Sequence, residues 1–156
     1  MDLNQNYRSF VLAVAQNKNI KNLVLTRGKG FSRRFVAGDT LQDALNAVDG
    51  LEQDNIHGIL DLLGEMVTSE TQARQFQKEI IELIHAFGAK PYPRYIALKL
   101  TQLGLDLSED LAFNLMTDIL AEAKKVDCFV RIDMEDSPRV VATLRIYKRL
   151  RGAGFT

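Results

Sequence analysis

Three short apolar segments, at residues 59–65, 95–100 and 128–134, alternate with two stretches of helical periodicity, and this alternation constrains the fold more than any other feature. Connections of that length between strands leave room only for a helical crossover, so the strands are expected to run parallel. Right-handed crossovers then lay the three strands side by side with their helices on one face. The first segment, Ile59-Leu60-Asp61-Leu62-Leu63-Gly64-Glu65, is nearly continuously apolar, as expected of a strand covered on both faces. The second, Tyr95-Ile96-Ala97-Leu98-Lys99-Leu100, follows the helix-stopping Pro91 and Pro93. The third alternates, with Val130, Ile132 and Met134 on one face and Phe129, Arg131, Asp133 and Glu135 on the other. A closed barrel takes eight such units and about 250 residues. A chain of 156 residues therefore supplies the first part of a (β/α) barrel or of an open sheet.

The helices between and around these strands carry their own signals. Thr40 caps a helix with Asp43 in its first turn and a stripe of Leu41, Ala44, Leu45, Val48 and Leu51, ended by Asp54, Asn55 and Gly58. Ser69 and Gln72 form a capping box before Ala73, Phe76, Ile80, Leu83, Ile84 and Phe87, and Gly88 stands where a helix end favours a left-handed residue. Ser108 caps a helix with the stripe Leu111, Leu115, Ile119, Leu120 and Ala123. Ser137 reads as the cap, and Pro138 as the first residue, of a last helix with the stripe Val140, Leu144, Tyr147 and Leu150. Upstream, Leu3, Tyr7, Phe10, Val11 and Val14 predict a helix over residues 3–20, followed by a basic stretch over 21–35. Gly28-Lys29-Gly30 lacks the feeding strand and the Lys-Ser/Thr of a phosphate loop. The division expected is an N-terminal helical segment, 1–54, and three β/α units, 55–156.

Twenty basic and twenty acidic side chains cancel, so no net field draws the chain to nucleic acid. The basic residues before Val36 read as the solvated side of N-terminal helices or, alternatively, as a weak anion or membrane-surface contact. The single Cys128 excludes an internal disulfide and suits a small buried side chain in a reducing compartment. No run approaches the ~20 apolar residues of a membrane span, and no cleavable leader is legible, so a cytoplasmic protein is expected.

Charge gathers where the predicted strands end: Asp61 and Glu65 on the first, Lys99 on the second, Arg131, Asp133 and Glu135 on the third. Parallel α/β proteins bind ligands at that end. Lys99 and Asp133 are expected to pair with each other or to meet a polar ligand, since isolated buried charges cost several kcal/mol. The alternative is a self-satisfying ring of ion pairs at the rim of the sheet. His57 and His85 lack partners at metal-ligand spacing, so no metal site is expected. No serine occupies a nucleophile elbow. Met66, Met116 and Met134 read as core filler, with Met134, next to Asp133, also placed to touch a bound ring.

Three motifs in order carry a resemblance: Gly58-Ile59-Leu60-Asp61-Leu62-Leu63-Gly64-Glu65, Tyr95-Ile96-Ala97-Leu98-Lys99-Leu100-Thr101-Gln102-Leu103-Gly104-Leu105, and Phe129-Val130-Arg131-Ile132-Asp133-Met134-Glu135-Asp136-Ser137. They resemble the first three strand motifs of bacterial proline dehydrogenases, and Arg34-Phe35-Val36-Ala37-Gly38-Asp39-Thr40 is similar to the entry preceding them. The resemblance implies an α/β fold in which N-terminal helices precede three parallel β/α units of an incomplete (β/α)8 TIM barrel. It implies FAD as cofactor, L-proline as substrate oxidised to 1-pyrroline-5-carboxylate, and a quinone as final acceptor. It assigns Lys99 to the proline and flavin side of the site, Asp133 as the active-site aspartate and Met134 to a position whose main chain contacts the flavin. Lys99 would stabilise negative charge on the reduced flavin, and Asp133 would orient Lys99 or the substrate amine. Family members are about twice this length, so the chain reads as an N-terminal part, through truncation or a split gene, inactive without the C-terminal half. The competing reading is a non-catalytic half-barrel that binds or assembles, with self-association expected from its open edges.

Overall fold

The computed structural model describes residues 36–64 and 67–155. The readings made for residues 1–35, for Glu65 and for Met66 lie outside the described residues. In chain order the elements are α1 (Leu41–Gln53), β1 (Ile59–Asp61), α2 (Glu70–Gly88), β2 (Arg94–Leu98), a 3-10 turn (Leu100–Leu103), α3 (Glu109–Lys125), β3 (Cys128–Ile132), a second 3-10 turn (Ser137–Arg139) and α4 (Val140–Gly152). Residues Val48–Thr156 form a compact unit. Of the other unit, Met1–Ala47, the described part is the entry to α1, where the Asp43 N–H donates to Thr40 Oγ1 at 3.2 Å and the Thr40 N–H donates to Asp43 Oδ2 at 3.1 Å.

The three strands are parallel and ordered β1-β2-β3, as the crossover argument requires. Ile59, Tyr95 and Phe129 share one rung, and Asp61, Ala97 and Arg131 another. Leu60, Ile96 and Leu98 are buried on the helix side, where α2 packs on β2 and α3 on β3. Ile59, Asp61, Phe129 and Arg131 are exposed on the other side, and the Tyr95 and Phe129 rings meet edge-on at 6.2 Å. The sheet therefore has one covered and one open face.

This corrects the first strand. The apolar run at 59–65 yields three strand residues, not a strand buried on both faces, because Ile59 and Asp61 flank buried Leu60 with exposed side chains. The ladder stops at Leu62, whose carbonyl is taken by a side chain of the next unit. At Gly64 any Cβ would meet the Phe76 ring at 2.6 Å, so the chain passes against α2 there. The other strands are also shorter than expected at their C-terminal ends. Lys99 follows β2 and Asp133 follows β3, although the Asp133 N–H still donates to the Leu98 carbonyl at 2.9 Å.

The core of α2 is the expected stripe, Ala73, Phe76, Ile80, Leu83, Ile84 and Phe87, all buried. Its start is capped by Ser69, which accepts from the Gln72 N–H at 3.3 Å, but Gln72 turns to the Thr68 N–H at 2.8 Å instead of closing the box on Ser69. Gly88 does not adopt a left-handed conformation: it is the last residue of α2, followed by Ala89 at φ −75°. Glycine is required there by space, since a Cβ would lie 2.7 Å from the Val126 Cβ. We expect Gly88→Ala to destabilise the protein by about 2 kcal/mol through overpacking, read as a lower melting temperature. An unchanged melt would show that the α2 and α3 ends can separate without cost.

Ser108 caps α3, accepting from the Leu111 N–H at 3.3 Å. Leu115, Ile119 and Ala123 are buried as expected, joined by Ala112 and Met116. The last helix departs from expectation. Ser137 and Pro138 sit in the 3-10 turn, Asp136 occupies the capping position without a side-chain bond to the turn's backbone N–H groups, and α4 starts only at Val140. Its buried residues are Thr143, Ile146 and Leu150, whereas Leu144 and Tyr147 are exposed. The rotation is set by α3: Arg145 pairs with Glu109, Arg149 with Asp110 at 2.9 Å, and the Arg149 guanidinium stacks 4.0 Å over the Phe113 ring. Arg139 pins the entry, donating to Asp106 at 2.6 Å and Asp136 at 2.5 Å. Cys128 is buried, and burial pushes its thiol up to about 11, the behaviour of a packing residue.

Asp49 on α1 joins the chain between α2 and β2, accepting from Lys90 Nζ at 2.6 Å and from the Tyr92 hydroxyl at 2.6 Å. The Lys90 bond, then the Tyr92 bond, hold its carboxyl below the ordinary 3.8. A carboxylate whose folded value is depressed contributes stability that is complete above its unfolded value and lost as pH falls through the folded one. Stability is therefore expected to drop below about pH 4, and Asp49→Asn should remove that part of the acid slope while lowering stability at pH 7. Identical acid limbs for the two proteins would rule the clamp out. No helix among the described residues is long and apolar enough to cross a membrane.

Candidate functional site

The polar cluster stands where the three strands end. Asp61 is the last residue of β1, and Lys99 and Asp133 are the first residues after β2 and β3. Parallel pairing in this register brings the three onto the open face of the sheet. Lys99 Nζ donates to Asp61 Oδ2 at 3.0 Å and lies 3.6 Å from Asp133 Oδ2. Arg131 Nε donates to Asp133 Oδ1 at 2.8 Å. The hydrogen bond to Asp61 raises the Lys99 pKa above its ordinary 10.5, partial burial opposes it, and the Asp61 charge, the Asp133 charge and a weaker side-chain contact with Asp133 add to it. The lysine is thus a fixed cation between two carboxylates, with its side chain still 37% exposed.

A second layer of hydrogen bonds holds the backbone beneath these groups. Gln102, only 4% exposed, accepts from the Lys99 N–H at 2.9 Å and donates to the Leu62 carbonyl at 3.1 Å, tying the end of β2 to the end of β1. Glu135 reaches back from beyond β3 and accepts from the Thr101 N–H at 3.2 Å and the Thr101 hydroxyl at 2.6 Å. Gly104 closes the 3-10 turn at φ +81°, a conformation that costs a side-chain-bearing residue about 1 kcal/mol or more. All three strand ends are therefore held by side chains from the segment that follows β2 or β3.

The structure brings Lys99 and Asp133 together, as the sequence reading requires, but gives Lys99 a closer partner in Asp61. Met134 follows Asp133 with its side chain largely exposed. The roles of Gln102, Thr101 and Glu135 were not legible in the strand pattern, although two polar residues within the apolar stretch at 100–105 were a signal. His57 and His85 pair with carboxylates, Glu52 at 3.0 Å and Glu122 at 2.9 Å, away from the strand ends. Among the described residues no group of three or more His, Cys, Asp or Glu side chains is placed to hold a metal ion.

The sequence profile of the family described as proline dehydrogenase matches residues 44–153. The chain belongs to the proline dehydrogenase family. It is similar to the proline dehydrogenase of Deinococcus radiodurans, with 38% identity over 156 residues, covering 96% of this chain and 49% of that protein. Proline dehydrogenase 1 of Bacillus subtilis (strain 168) is 38% identical over 145 residues, covering 92% of this chain and 48% of that protein. The chain spans about half the length of these proline dehydrogenases. A crystal structure of proline utilization A (PutA) from Bdellovibrio bacteriovorus, inactivated by N-propargylglycine, superposes with a TM-score of 0.73 at 18% identity, over 83% of this chain and 16% of that one. That likeness is one of fold, and it places the three β/α units in a TIM-barrel-like architecture.

Proposed function

We propose that the chain is the N-terminal part of an FAD-dependent proline dehydrogenase, comprising an N-terminal segment over 1–54 and the first three β/α units over 55–156. It supplies one wall of the site at which L-proline is oxidised to 1-pyrroline-5-carboxylate. The observation that carries this reading is the Lys99 ammonium, held between two carboxylates at parallel strand ends in a proline dehydrogenase sequence. The residues fit a flavin: a partly exposed cation suits the negative charge of a reduced ring, and the exposed Met134 side chain offers a polarisable apolar contact. FAD held beside Lys99 and Met134 would supply the hydride acceptor for proline oxidation and the route for its electrons to a quinone.

Lys99 contributes electrostatic stabilisation on the flavin and substrate side. Asp133 carries the negative charge that orients the substrate amine, with its second oxygen occupied by Arg131. The open face, with Ile59 and Phe129 exposed, requires a covering partner, which further barrel strands supply on the same or another polypeptide. The same exposure supports the second reading, a half-barrel that assembles with itself in the cytoplasm.

Co-expression with the C-terminal half of a proline dehydrogenase tests the proposal. Yellow flavin absorbance and proline-dependent dye reduction in the purified complex, with neither in the chain alone, are expected. A complex that forms but neither binds flavin nor oxidises proline would overturn the catalytic reading, and self-association without flavin would leave the assembly reading in its place.

A further inference from the structure

We infer that Asp61 is the positioning residue of Lys99, fixing its ammonium over the strand ends so that Asp133 stays available to the substrate amine; this rests on the proline-oxidising reading above. A lysine has a flexible four-carbon stem with many rotamers, so a useful orientation needs a second group to hold it. Two carboxylates flank Lys99, and they are not equivalent. Asp61 makes a charge-assisted hydrogen bond at 3.0 Å, whereas Asp133 stands at 3.6 Å, beyond hydrogen-bond reach.

The partners of the two aspartates differ in the same sense. Among the described residues Asp61 makes no other ion pair, so its charge is devoted to Lys99. Asp133 already has Arg131 on its Oδ1 at 2.8 Å, which compensates its charge when Lys99 contributes little. One oxygen of Asp133 is thereby oriented by Arg131, while the other, 3.6 Å from the Lys99 nitrogen, is left to accept from a substrate amine that approaches from the open face.

The frame beneath Asp61 and Lys99 is shared. Gln102 is buried and bonds both the Leu62 carbonyl, next to Asp61, and the Lys99 N–H. The carboxylate and the lysine backbone are therefore fixed relative to one another by one side chain, in addition to the strand pairing. Asp133 is tied to β2 by its own N–H bond to the Leu98 carbonyl, and the side-chain bridge on that side, Glu135 to Thr101, stands two residues beyond both Asp133 and Lys99. Preorganisation of this kind is what a charge-stabilising cation needs, because it removes the cost of ordering the side chain during reaction. The elevated pKa of Lys99, due first to the Asp61 bond, keeps it charged over the working range.

The test compares Asp61→Asn and Asp133→Asn. In the chain itself, lysine-selective 13C labelling follows the Lys99 Cε shift with pH, assigned through Lys99→Arg, with melting curves confirming the fold. Asp61→Asn should lower the Lys99 midpoint toward that of the exposed lysines, and Asp133→Asn should preserve most of the elevation. The reverse order, or no change in Asp61→Asn, would overturn the assignment whether or not the protein oxidises proline. In the flavin-loaded complex, Asp61→Asn should lower kcat by about tenfold to a hundredfold and move the alkaline limb of the kcat profile to lower pH, with partial rescue by Asp61→Glu. A complex in which the unsubstituted protein oxidises proline and Asp61→Asn leaves that limb in place would defeat the positioning role alone. A complex with no proline oxidation, together with a normal Lys99 titration, would defeat the catalytic reading alone.

Discussion

Replacing Lys99 with methionine in the flavin-loaded complex is expected to lower proline-dependent dye reduction by about 100- to 1,000-fold, the usual loss when one preorganised charge-stabilising donor is removed. The argument is electrostatic. Lys99 is the cation between Asp61 and Asp133, and methionine keeps much of its apolar stem while deleting the charge. Two carboxylates then face the site with only Arg131 beside one of them, so the local charge goes from balanced to net negative at the place where negative charge must be accommodated. The folded state should tolerate the change, because both carboxylates keep access to water and surface ion pairs contribute little to stability. Steady-state kcat measured beside flavin content and a melting curve decides the matter. A kcat within a few-fold of the unsubstituted protein, at normal flavin content, would contradict the role given to Lys99.

The largest stability effect near the site is expected from Gln102→Leu. Leucine fills a similar volume but serves neither the Lys99 N–H nor the Leu62 carbonyl, which together lose two hydrogen bonds of 2.9 and 3.1 Å. Leaving part-buried backbone groups unpaired costs about 1–3 kcal/mol each, so a total of about 3 kcal/mol is expected. For a domain of this size that lowers the melting temperature by roughly 10 °C. The same substitution releases the end of β1 from the end of β2, so the Lys99 to Asp61 contact should loosen as well. Thermal melts followed by far-UV circular dichroism read the first effect. A shift below about 2 °C would mean that water replaces both bonds, and that Gln102 does not hold the strand ends.

These two residues show what could be read before any coordinates. Lys99 stood out because a charge at the end of an apolar strand is costly unless it has a partner, and the structure supplied partners. Gln102 did not stand out, because its partners are backbone groups of segments 40 and three residues distant, and no local pattern announces them. The helix stripes divide in the same way. The six apolar positions of α2 repeat so regularly that their burial follows from period alone, and all six are buried. In α4 the apolar spacing pointed to Leu144 and Tyr147, but ion pairs with α3 turned those residues outward and buried Thr143 and Ile146. Gly88 was read from a helix-end rule, whereas its real constraint is Val126, the residue that ends α3.

By itself the sequence determined the order of elements, the parallel sheet and the proline dehydrogenase family, because hydrophobic period, connection length and strand-end motifs are local properties of the chain. The tertiary structure alone decided where each strand stops, which face of α4 is buried, and that Asp61 rather than Asp133 is the nearer partner of Lys99. Those outcomes depend on contacts between residues far apart in sequence, and the difference between 3.0 Å to one carboxylate and 3.6 Å to the other arises only once the strands are in register and Gln102 has joined their ends.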